Sequence, residues 1–117
     1  MEKNIKNDDR NKEIDFVQIS FQIITHSGVA KSKATEAIMK AKTSDFEEAH
    51  TLIKDAEFEL AEAAKQHGDV IFQEARDVKH PFSVLFMHAE DQMMTTQIVV
   101  QMANEFIDVY KELRNGK

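Results

Sequence analysis

A chain of 117 residues has room for one domain with a single core. Three glycines, one proline and no tryptophan, against abundant Ala, Glu, Lys, Ile, Met and Gln, describe an all-α protein, and the lack of cysteine removes disulfides, zinc thiolate sites and thiol catalysis together. Fifteen basic against 21 acidic residues leave a net charge of −6, with no basic block dense enough to follow phosphates, so no nucleic-acid partner is expected.

The opening stretch, "MEKNIKNDDRNKE", is polar and mixed in charge and lacks the apolar core of a signal peptide. No run approaches the roughly eighteen apolar residues that span a bilayer. The expectation is a cytoplasmic protein without membrane insertion, with a flexible tail over 1–12 and one domain over 13–117.

The first predicted helix covers about 13–42. Val17, Phe21, Ile24 and Gly28 form one stripe, which Ala30, Ala34, Ala37, Ile38 and Ala41 continue after a slight drift. Glycine inside a helix costs about 1 kcal/mol relative to alanine, so Gly28 is expected to be a packing position where another segment comes close.

The pattern breaks at "AKTSDFEE", where Ser44 followed by Glu47 has the form of a capping box, and a second helix is expected over 45–78. Phe46, Ala49, Ile53, Ala56, Leu60, Ala63, His67 and Val70 alternate threes and fours, the mark of helices packed side by side, so His67 falls on the seam.

The second break, "RDVKHPF", contains Pro81, which disfavours the α conformation at His80 and suits the first turn of a third helix over 82–114. One stripe of that helix runs Phe82, Leu85, Ala89, Gln92, Thr96, Val99, Ala103, Phe106, Tyr110 and Leu113. A second has the same period, offset by about 200°: Val84, His88, Asp91, Thr95, Ile98 and Met102, with Val109 beyond. Two helices can cover only one side of the third, so the second stripe predicts a homo-oligomer.

His88 and Asp91, three apart, share that second face. A carboxylate in an apolar interface costs several kcal/mol unless it is paired, protonated or bound to a metal. Symmetry copies of Asp91 around an axis are satisfied by a shared divalent cation, by shared protons or by buried water. A neutral imidazole at His88 has a ring nitrogen able to attack a phosphoryl group and later release it. Asp91 is the better orienting neighbour, because the two-residue offset turns Glu90 away.

The segment "VLFMHAEDQMMT", Val84 to Thr95, is similar to the pattern VHAQDHLMT of the lactose/cellobiose (N,N′-diacetylchitobiose) class of enzyme IIA in the bacterial sugar phosphotransferase system. "HSGVAKSKATEAIMKAKTSDFEEA", from His26 to Ala49, resembles its SGxARSxAxxAxxxAxxGDFxxA, and "VIFQEA", from Val70 to Ala75, its LIxxEA; the resemblance covers nearly all of the chain after Asp15. It implies an antiparallel up-down three-helix bundle assembling as a homotrimer, with one active site near each subunit boundary. It implies that His88 accepts phosphate from the phosphocarrier protein HPr and passes it to a cysteine of the IIB component, which phosphorylates the sugar during transport through IIC. Asp91 matches the aspartate that binds a divalent ion, usually magnesium, at the trimer axis.

The chain departs from this pattern around the site. Gln92 replaces a second histidine, Glu90 a glutamine and Lys31 an arginine, while AHxxQT becomes Ala63-Ala64-Lys65-Gln66-His67-Gly68. Gln92, Glu90 and His67 are therefore the expected supporting residues, and an altered transfer rate, a compensating role for His67 or a drift towards regulation all follow from such changes. The alternative is a non-catalytic or regulatory helical adaptor derived from this family. His26, His50 and His80 are given no role.

Overall fold

Each helix of the computed structural model, which describes residues 13–116, begins on a short polar side chain that accepts hydrogen bonds from the free N–H groups of the first turn. Asp15 Oδ1 accepts from Val17 and Gln18 (3.1 and 3.2 Å) and starts α1, Phe16–Lys42. Asp45 Oδ1 accepts from Glu48 (3.3 Å) and starts α2, Phe46–Ala75. Ser83 Oγ accepts from Phe86 (3.0 Å) and starts α3, Val84–Asn115. Among the described residues there is no strand, and the three helices pack as an up-down bundle. The tail expected over 1–12 lies outside the described residues.

The cap of α2 is thus Asp45 rather than Ser44, because Ser44 is used to end α1. It sits in the left-handed region at φ 69°, donating to the Ala41 carbonyl while Asp45 donates to that of Lys40. The same reversal closes α2: Asp77 has φ 70°, with Asp77 N–H on Glu74 and Val78 N–H on Gln73. This stops α2 at Ala75 instead of residue 78, and Pro81 falls in the connection before α3 rather than inside its first turn.

α1 lies against both other helices, which meet each other over a smaller surface. Its buried seam is Ser20, Ile23, Ser27, Ala30, Ala34, Ala37 and Ala41, a strict alternation of threes and fours. The alanine half agrees with the predicted stripe, but the first half does not: Val17 and Phe21 are exposed, and Ile24 only borders the core. The larger side chains suggested the wrong face there, since a helix wedged between two others is served by small serines that let backbones approach. Gly28 is exposed, and a Cβ built on it would meet no atom within 4 Å, so it is not a packing position within the chain.

α2 buries Ala49, Ile53, Ala56, Leu60, Ala63 and Val70 as its spacing predicts. On α3 the buried row is Phe86, Ala89, Met93, Thr96, Val100, Ala103 and Ile107. It shares Ala89, Thr96 and Ala103 with the predicted stripe, but Met93, Val100 and Ile107 replace Gln92, Val99 and Phe106. This turns the buried face by about 50°. The turn is towards α2, which α3 reaches through Glu90 and Lys111. Val84, His88, Asp91, Thr95, Ile98, Met102 and Val109, the second stripe, are all exposed, Ile98 at 60%. No described helix is long and apolar enough to cross a membrane.

Candidate functional site

His88 sits one turn into α3, where the capped N-terminus makes the backbone regular, and its place on the outer stripe leaves the imidazole exposed. Asp91, a turn further on, is exposed on the same stripe. Thr95 Oγ1 lies 2.9 Å from the Asp91 carbonyl and 3.2 Å from that of Gln92, so its hydroxyl serves the backbone of α3 rather than the Asp91 carboxylate. Gln92 is half-buried.

The other two expected supporting residues are joined to each other. His67 Nε2–H, from α2, donates to Glu90 Oε2 at 2.6 Å; against a carboxylate, which only accepts, the ring nitrogen carries the proton. Both side chains are half-buried. The His67 ring stacks on Phe86, with centroids 5.9 Å apart and planes 10° from parallel. Phe86 in turn meets Phe16 edge-on at 5.2 Å, and Phe16 meets His80 at 5.0 Å, so four rings from three helices and a connection lock this end of the bundle. Within one chain this assembly does not stand beside His88, because Glu90 leaves α3 on the opposite side. Ala64 and Gly68, the remaining changed positions of α2, are exposed.

The other histidines are also engaged between structural elements, although the sequence assigned them no role. His26 Nδ1 lies 2.7 Å from Glu59 Oε1, linking α1 to α2. Lys111 Nζ donates to His50 Nε2 at 3.0 Å, linking α3 to α2. His80, in the second connection, reaches Gln73 Oε1 at 2.8 Å and Glu74 Oε2 at 3.3 Å. Such pairs join residues 6 to 61 positions apart, and no local spacing signals them. Among the described residues, His88 is the histidine whose ring no other side chain holds.

His88 lines neither of two cavities in the bundle. One of about 430 Å³ is bounded by Phe16, Gln73, Val78 and His80, and another of about 200 Å³ lies beneath Phe82, Met87 and Glu90. Among the described residues no three ligating side chains converge on a metal position, and Asp91 offers one carboxylate. A hard divalent cation wants about six oxygens, so a single chain does not make its site, whereas several Asp91 carboxylates converging with water fit its chemistry.

Residues 18–111 match the family described as PTS system, Lactose/Cellobiose specific IIA subunit. The lichenan-specific phosphotransferase enzyme IIA component of Bacillus subtilis (strain 168) is 41% identical over 96 residues, covering 82% of this chain and 87% of that protein. The lactose-specific EIIA component of Staphylococcus epidermidis is 33% identical over 94 residues, covering 80% and 90%. The crystal structure of the PTS cellobiose specific enzyme IIA from Bacillus anthracis superposes with a TM-score of 0.84 at 38% identity, over 91% of this chain and 97% of that one.

Proposed function

The chain belongs to the lactose/cellobiose-specific IIA family of the sugar phosphotransferase system, and from that premise we propose that His88 is its phosphoryl acceptor. Phosphotransfer in sugar uptake is the role of that family. The observation that carries the finer reading is His88 itself, an exposed imidazole on the outer face of α3, free of the ion pairs and hydrogen bonds that occupy the other histidines. A ring nitrogen attacks phosphorus as the bond to the donor, phosphorylated HPr, breaks. The resulting N–P bond is later broken by a cysteine thiolate of IIB. An exposed position on a rigid helix suits both encounters, since donor and acceptor proteins must reach the same atom in turn.

The exposed apolar stripe around His88 supports assembly of the chain with copies of itself, a homotrimer in this reading. In it the Asp91 carboxylates would converge and hold a Mg²⁺ ion, which when bound neutralises their mutual repulsion. Incubation with phosphorylated HPr, followed by mass spectrometry under alkaline conditions, is expected to place one acid-labile phosphate on His88. Full labelling of a His88→Ala variant would overturn the assignment. A wild-type chain that takes up no phosphate would favour the adaptor reading, which the change to Ala64 and Gly68 motivates.

A further inference from the structure

We propose that the small cavity where α2, α3 and their connection meet is a binding site for a compact aromatic amine, one ring on a short ammonium tail. The cavity measures about 200 Å³. An apolar cavity of about 150 Å³ holds benzene and drug-sized ligands need about 300–1,000 Å³, so this volume suits a single ring with a few further atoms. Its inner wall takes one side chain from each helix, Phe16, Val70 and Phe86, of which Val70 and Phe86 are buried. The two phenyl rings already fix each other edge-on at 5.2 Å, so the space is formed before any ligand arrives.

Apolar side chains scattered singly over a surface are ordinary, but here three large ones surround one opening. Ile71, Phe82 and Met87 border the cavity and remain 47%, 77% and 53% exposed. A ring seated among them removes its own apolar surface and part of theirs from water together. Phe82 stands between Pro81, whose ring fixes its own φ, and Ser83, the cap of α3, so its backbone is pinned at the opening.

The polar groups decide the charge of the ligand. Glu74 and Glu90 line the cavity, and no lysine or arginine does. Each carboxylate gives one oxygen to a histidine, Glu90 Oε2 to His67 at 2.6 Å and Glu74 Oε2 to His80 at 3.3 Å. The Oε1 of each has no partner among the described residues and can only accept. His80, the third ionisable group of the lining, is turned to Gln73 and Glu74. An ammonium carries three donors and no acceptor, which matches free carboxylate oxygens through charge-assisted hydrogen bonds. An anionic tail would meet like charge, and a sugar would leave most of its hydroxyls against hydrocarbon. A metal ion finds too few ligands, since no three ligating side chains converge among the described residues.

Titration of the full chain with phenethylamine, followed through carbon-13 signals of the methionine methyl groups, tests this. Met87 lines the cavity and Met39 and Met102 do not, so ring-current shifts are expected at Met87 and not at those two. They should saturate with a dissociation constant of about 1 mM or below, as for a ligand of this size. Phenethyl alcohol and hydrocinnamate, which keep the ring and lose the positive charge, are expected to bind at least about tenfold more weakly. Glu74→Gln/Glu90→Gln preserves the shape of the lining and is expected to weaken the amine by a similar factor, while Ile71→Trp, which fills the mouth, is expected to abolish binding. A shift that fails to saturate, equal binding of the alcohol, or undiminished binding by folded Ile71→Trp would each overturn the proposal. A Met87 signal that moves with protein concentration in the absence of amine would assign the opening to a neighbouring copy and overturn it too. None of these outcomes bears on His88 as phosphoryl acceptor.

Discussion

The two long faces of α3 carry residues of similar character at the same spacing, yet one is buried in the bundle and the other is bare. Ala89, Met93, Thr96, Val100, Ala103 and Ile107 lie inside, while Val84, His88, Asp91, Ile98, Met102 and Val109 lie outside. What differs is the partner. α1 and α2 cover one side of a helix and have no reach to the other. The only clear chemical difference is that the inner face carries no ionisable group, whereas the outer face carries an imidazole and a carboxylate. Apolar periodicity therefore marks the covered face and the bare one alike, and the charged interruptions tell them apart.

The largest effect that would sharpen this contrast is on the inner face. Ile107, fully buried, should cost about 2–5 kcal/mol of folding stability as Ile107→Ala, because its cavity cannot be filled by water or by a neighbour. Chemical denaturation of the variant checks this, and a loss below 1 kcal/mol would mean that the inner face is not the folding core. On the outer face, Ile98→Glu should leave the helical content unchanged but weaken self-association at least about tenfold by burying an unpaired carboxylate between copies. Sedimentation equilibrium separates that from a chain whose assembly does not use the face.

Asp91→Leu tests the charged interruption from the other direction. Exchanging a carboxylate for apolar contact is expected to keep or strengthen the assembly. Dissociation to monomers would show instead that the carboxylate and its ion dominate it. The smallest expected effect lies on neither face. Ser44, at φ 69°, occupies a backbone region in which only glycine escapes the Cβ clash, so Ser44→Gly should stabilise the fold by about 1 kcal/mol. Thermal unfolding would register it. Phosphate uptake should stay constant, which would separate stability from the outer-face chemistry.

Legibility followed the size and chemistry of side chains. The seam of α2 could be read almost residue by residue, since it places apolar side chains against polar surroundings at a single period. In the first half of α1 the reading failed: Val17 and Phe21 outweigh Ser20 and Ser27 in hydropathy, whereas close helix packing favours the small serines. Ser44 was misread for a related reason. Its identity suits a helix start, but the chain first needs a left-handed residue to end α1, and the start passes to Asp45. At the site, His88 and Asp91 were legible because three positions along a helix place them on one face. The His67–Glu90 contact was not, since its members are 23 residues apart and meet only when α2 and α3 dock.

By itself, then, the sequence determined the all-α class, the three helices, the uncovered second face of α3 and the pairing of His88 with Asp91 on it. These depend on local periodicity, which a one-dimensional pattern carries in full. Only the tertiary structure decided how far α3 turns towards α2, which small residues form the seam of α1, and which histidines are held. Those outcomes depend on distances between segments far apart in the chain, which are set when the helices pack. The difference between an engaged histidine and a free one is of that kind, and it singles out His88.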